Sequence, residues 1–216
     1  RASNPPTNPA LLDWLAADFV QHGYDLKHLM RTIMRSQIYR LSSLPNETNA
    51  ADLKNYSRSY RRRLPAETLL DAVCAVTEVK ETFTGLPPDA LAKQTWNHKL
   101  ESQFMDAFGR PNSSAECPCE RDAKPSVVQA LHLMNSNKLQ DMLVSAKGRA
   151  SRLAKSDAKP EQIIEELYLA CFARLPEAEE QKLALSAFTA KDSTRQTAVE
   201  DILWSLLNSA EFVFNH

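Results

Sequence analysis

Glycine is scarce in this chain: 4 residues in 216, against 12 prolines. Parallel-sheet enzymes with phosphate-cradling loops spend glycine freely, so the shortage argues against a Rossmann-type or P-loop protein. Cysteine is also sparse. Four of them (Cys74, Cys117, Cys119 and Cys171) are too few for a disulfide scaffold at this length. An excess of either charge is lacking, with a formal net charge of −1, so no global field draws nucleic acid or an anionic membrane. No apolar run reaches the roughly 18 residues that a membrane span needs. No signal peptide is visible either, and no two strands joined by a hairpin turn can be found.

What the chain does have is ordinary globular composition, 43% hydrophobic and 25% charged, with apolar residues recurring at helical spacing. Asn8 and Pro9 open a first helix with Leu11, Leu12, Leu15, Ala16 and Phe19 on one face, ended by Gly23. Asp25 caps a second with Leu26, Leu29, Met30, Ile33 and Met34, so the pair reads as an αα-hairpin. Pro65 starts a third, with Glu67 in its first turn where a negative charge suits the helix dipole. Residues 80–99 show no period and read as a loop that packs over a surface or shapes a site. Further helices open at Pro125, Ser136, Arg149, Pro160 and Pro176 and near Ser193. The expected fold class is all-α, an irregular bundle of nine or ten helices with long connecting loops. We expect a single domain over 1–216, with a division at residue 124 into 1–124 and a more regular 125–216 as the second option.

Chemistry concentrates between Phe104 and Ser136, where Cys117 and Cys119 stand among Arg110, Glu116, Glu120, Arg121 and Asp122. Loops on a rigid scaffold often carry function. Three sharp readings compete for the two cysteines. They form a strained, reducible disulfide, or supply two thiolates to zinc with His132 and His98 as the nearest further ligands, or stay free as thiols activated by Arg110 and Arg121. The plain reading is a structural turn. Asp106, Glu116, Glu120 and Asp122 invite a glycosidase hypothesis, set against solvated surface acids and an ion-pair network of Arg110, Glu120 and Arg121. Ser57 to Arg63 carries four arginines with an aromatic between them, a pattern that can grip phosphates but that more often makes surface ion pairs. The five histidines match no known ligand motif, so no metal site is expected. Trp14 and Trp204 read as core residues on helix faces. Trp96, in the irregular loop, is the candidate for stacking on a sugar. Cys74 and Cys171 read as small buried hydrophobes.

Eight blocks, in order LLDWLAADF, SQIYRLSS, RRRLPAE, AFGRP, CPCER, ALHLMNS, LYLACFARLPEAEE and LLNSAEFVFNH, resemble the planctomycete-type C-terminal domain called PSD-one, domain of unknown function 1553. The resemblance covers essentially the whole chain. It implies a piece of a larger secreted protein, with a tryptophan-containing segment of the domain lying upstream and only Arg1 retained from it. It also implies an extracytoplasmic (periplasmic or secreted) setting and a cytochrome-c-like neighbour. Haem is expected on that separate upstream module, because the attachment signature C-x-x-C-H is absent here, and no cofactor is expected on this chain. The functional expectation is a non-catalytic binding or assembly module whose partners are upstream domains of the same parent protein. The alternatives are an enzyme acting on extracellular carbohydrate with its site around Arg110 to Asp122 (the Cys117–Arg121 loop, with Glu120) and the Trp96 loop, and a thiol/disulfide module at Cys117 and Cys119. Nucleic acid is not an expected partner.

Overall fold

The computed structural model describes residues 5–52, 54–95, 100–110, 135–191 and 193–215. Among these the fold is all-α, with ten α-helices, two 3-10 turns and one pair of two-residue strands. The chain divides into two compact units at Arg62/Arg63. Residue 124, the alternative boundary, lies outside the described residues.

The first unit opens with α1, Pro9–Gln21, started by the Asn8 side chain, which accepts the Leu11 amide at 3.1 Å. The chain reverses through Gly23 and Tyr24, both left-handed with φ of 63° and 64°. Glycine makes that reversal cheap at the first position, while Tyr24 carries the strain of a side chain there. Asp25 then accepts the amides of Lys27 and His28 at 2.8 and 3.1 Å and starts α2, Leu26–Arg35. These amides hold its carboxyl below the usual carboxylate range, the His28 amide most strongly. A 3-10 turn at Ile38–Arg40 leads into a polar segment knitted by its own side chains. There Asp52 accepts the hydroxyl of Ser57 and the amides of Lys54, Asn55 and Ser57, which keeps it ionised well below the usual range.

Neither α1 nor α2 contains a buried residue. Helical spacing correctly places two amphipathic helices here, but the apolar stripes do not end in a core. Trp14, read from the sequence as a core residue, is 55% exposed, and Leu11, Leu12, Leu26, Met30, Ile33 and Met34 are exposed with it. The physical reason is geometric: two short helices in one hairpin meet along a single narrow seam, and everything outside that seam needs a further partner.

The second unit has that further partner. Its core is built around α3, Ala66–Thr77, which buries Ala66, Leu69, Leu70, Val73 and Val76. Short α4, Gln103–Ala107, adds Phe104 and Met105, and Phe108 follows at once. Helices α5 (Asn137–Leu143), α6 (Arg149–Lys155), α7 (Pro160–Phe172), α8 (Ala178–Thr189), α9 (Arg195–Leu207) and α10 (Ala210–Val213) complete it. Helix α9 packs against α6, α7 and α8, sending Val199, Leu203 and Leu207 inward. Gly148 precedes α6 where a Cβ would sit 3.1 Å from the Thr77 carbonyl oxygen, so a side chain there would crowd the end of α3.

Arginines tie these helices at their ends. Arg174 donates to both oxygens of Glu180 and both of Glu211 at 2.7–2.8 Å, and lies 5.6 and 5.5 Å over the rings of Tyr168 and Phe172. Arg149 and Arg152 share Glu166 and Glu78, the residue whose left-handed φ of 61° ends α3. Arg195 donates to the carbonyls of Ala154, Ser156 and Ala158. The stretch that showed no period, here residues 80–95, does pack over a surface. Phe83 and Ala92 enter the core, and the Asp71 carboxylate accepts the amides of Ala92 and Lys93 at 2.6 and 3.2 Å. Leu183 is 75% exposed, while Leu185 and Phe188 on the same helix meet the core. At the start of the second unit the Leu64 amide donates to the Val213 carbonyl at 3.0 Å, tying the two ends of that unit together.

Candidate functional site

Most of the loop that the sequence singled out lies outside the described residues. Trp96, Cys117, Cys119, Glu120 and Arg121 lie outside the described residues, as do Glu116, Asp122, His98 and His132. Arg110 is described, and it is structural in its contacts. Its side chain is only 7% exposed, donating to Asp106 Oδ1 at 2.6 and 3.0 Å and to the Leu100 carbonyl at 2.7 Å. The ion pair is local, four residues apart, and fastens the end of α4. Glu120 and Arg121, the partners expected for it in an ion-pair network, lie outside the described residues.

Cys74 and Cys171 are free thiols packed against the core. Burial pushes their pKa up, to about 11 for Cys74 and about 12 for Cys171, so neither is a thiolate at neutral pH. They are half-buried rather than sealed, but the small-hydrophobe reading describes them well. Trp204 also leans on the core as expected.

The arginine-rich segment gives a defined surface within the first unit. Ser43, Leu44, Pro45, Arg58, Tyr60 and Arg61 line an open cleft of about 400 Å³. Arg61 Nε donates to Ser43 Oγ at 3.1 Å, and the Arg58 guanidinium lies 5.2 Å over the Tyr60 ring. Arg58 Nε is buried with no hydrogen-bond partner among the described residues. Two guanidinium groups, a hydroxyl and an apolar wall can seat a small anionic group. Arg63 takes no part in it, since its guanidinium donates to the Phe108 carbonyl at 2.8 Å and covers that ring. The SRSYRRR stretch is thus split between a surface cleft and a structural tether.

The seam of the α1–α2 hairpin holds a constellation that the sequence reading passed over. Asp18 faces two imidazoles: His22 Nδ1 is 3.2 Å from one carboxylate oxygen, and His28 Nε2 is 3.0 Å from the other. The two rings stack with centroids 3.7 Å apart, and Thr32 Oγ1 stands 3.4 Å from His28 Nε2. The Asp18 carboxylate is mostly shielded, while both histidines are partly open to solvent. The available signal was the four-residue step from Asp18 to His22, which stacks two side chains on one helix face. His28 joins them only because the turn at Gly23 and Tyr24 is tight, and no motif encodes that.

The family model described as PSD1, Protein of unknown function (DUF1553), matches residues 1–188. The chain belongs to this family. No curated protein and no solved structure matches it. Membership of the DUF1553 family therefore covers the whole first unit and runs into α8, ending before α9. It brings no reaction with it, and the role has to be argued from surfaces. No helix among the described residues is long and apolar enough to cross a membrane.

Proposed function

We propose that this DUF1553 domain is a non-catalytic binding and assembly module of a larger extracytoplasmic protein, docking through its α1–α2 hairpin on upstream domains of the same parent. The observation that supports this is the apolar stripe of α2. Leu26, Met30, Ile33 and Met34 recur at helical spacing and are all exposed, Met30 by 60%. A contiguous aliphatic surface of this kind usually marks a protein contact. Its chemistry suits a polypeptide rather than a sugar, because leucine, isoleucine and methionine offer neither a ring to stack on nor hydrogen bonds. Haem chemistry, in this reading, belongs to a neighbouring module, and the hairpin holds this domain beside it.

Amide hydrogen exchange over residues 26–35, in the isolated chain and in the full-length parent, tests the reading. Protection that rises in the parent, and falls back in a Met30→Glu/Ile33→Glu parent, is the expected result. Equal exchange in both proteins, with no cross-link from a photoreactive group at position 30 to upstream sequence, would sink it.

A further inference from the structure

We propose that Asp18, His22 and His28 form a binding site for a divalent transition-metal cation, with zinc the best match. This goes beyond the docking role and does not depend on it, since the three residues lie in the seam of the hairpin and not on its outward apolar stripe.

The donor set comes first. Two imidazoles and one carboxylate are the nitrogen and oxygen ligands that zinc, nickel, cobalt and copper take, whereas magnesium and calcium prefer all-oxygen sets. Spacing is the second point. The possible ligand atoms of the three residues all lie within 4.8 Å of one another. The two nitrogen-to-carboxylate separations, 3.2 and 3.0 Å, approach the edge of about 3.3 Å that a tetrahedron with zinc bonds of about 2.0–2.1 Å requires. Support is the third. Asp18 and His22 are fixed one turn apart at the end of α1, and His28 by the Asp25 cap at the start of α2. Thr32 Oγ1 stands 3.4 Å from the same His28 Nε2, so this contact has to open when a cation takes that nitrogen.

His22 Nδ1 also meets the Asp18 carbonyl at 2.8 Å, so the bond it now makes has to open when a cation takes its lone pair. A cation binds imidazole only through an unprotonated nitrogen, so protons compete with it for the site. Three protein ligands leave a fourth position for water or a group from a partner. The bound cation would pin the two helices of the hairpin to each other across the turn.

Titration of the full chain with zinc alone, and with cobalt for its visible bands, tests the proposal. One equivalent binds, the cobalt spectrum is tetrahedral, and Asp18→Asn or His28→Gln weakens binding by roughly tenfold or more. A Cys117→Ser/Cys119→Ser variant keeps that equivalent, which separates the hairpin site from the cysteine loop. Because a seam variant can disturb the hairpin itself, the wild-type chain supplies a second readout. Substoichiometric zinc must shift the imidazole NMR signals of His22 and His28 together, ahead of those of the other histidines. Binding lost in the cysteine variant but retained in Asp18→Asn and His28→Gln overturns the proposal, as does zinc that leaves both imidazole signals in place.

Discussion

The two units carry the same sequence signal and meet different ends. In α2 and α9 alike, apolar side chains recur every three or four residues. In α9, Val199, Leu203 and Leu207 vanish into a core shared with α6, α7 and α8, while in α2, Met30, Ile33 and Met34 face outward. Periodicity reports that a helix has an apolar side and says nothing about what covers it. The difference lies in what surrounds each helix: α9 packs against α5, α6, α7, α8 and α10, while among the described residues α2 meets α1 and the 3-10 turn after it, with a polar seam of Asp18, His28 and Thr32 between the two helices.

The strongest way to break this comparison is to truncate the same kind of side chain in each unit. Leu203→Ala should cost about 2–5 kcal/mol in urea unfolding, because it leaves a cavity in a close-packed interior. Ile33→Ala in the isolated chain should move the main transition by no more than about 0.5 kcal/mol. Comparable losses at both positions would mean that the hairpin stripe is covered within the chain.

A smaller effect separates the units through acid. In the second unit Arg174, donating to Glu180, holds that carboxyl down from 4.5 to about 2. A folded value below the unfolded one means that the ionised form is favoured by folding. The stabilisation is therefore complete above about pH 4.5 and fades as pH falls toward 2. Both partners are about a third exposed, so solvent screening keeps the contribution modest. Glu180→Gln should flatten the decline of the thermal midpoint between pH 4.5 and 2.5, and a wild-type slope in that variant would remove Glu180 from the account.

The smallest test concerns backbone strain. Ala173 ends α7 in the left-handed region, with φ of 56°. Replacing it by glycine should stabilise the second unit by about 0.5–1 kcal/mol, since glycine reaches that conformation without a Cβ clash. Tyr24→Gly, the corresponding relief in the hairpin turn, should leave the main unfolding transition where it is. A shift of equal size from Tyr24→Gly would show that the two units unfold as one.

Helix starts were the most legible part of the fold. Asn8, Asp25, Ser136 and Pro160 each announce an element through a side-chain acceptor or a missing amide, and such signals are local. Burial was less legible. Trp14 and Leu183 sit on patterned helices and are exposed, because burial is decided by elements distant in sequence. Short pieces such as α4 and α10 hold too few residues to show a period, and their caps at Ser102 and Ser209 were the only cue. Of the candidate site, Arg110 is the residue described, and its pairing with Asp106 is a four-residue step that spacing makes visible. Asp18, His22 and His28 were invisible as a group, since their meeting depends on the angle of a turn.

The pairing of Leu64 with Val213 fixes when each unit can form as the chain leaves the ribosome. The hairpin contains only local contacts and closes as soon as its own residues have emerged. The second unit closes in steps: residues 80–107 cover part of α3 early, α5, α6 and α7 follow, and the Leu64–Val213 pairing is made only when residue 213 has emerged, more than a hundred residues after α3. Through that interval the core around Leu69, Leu70 and Val73 is only partly closed, and holding it safe is work for whatever chaperone attends its synthesis.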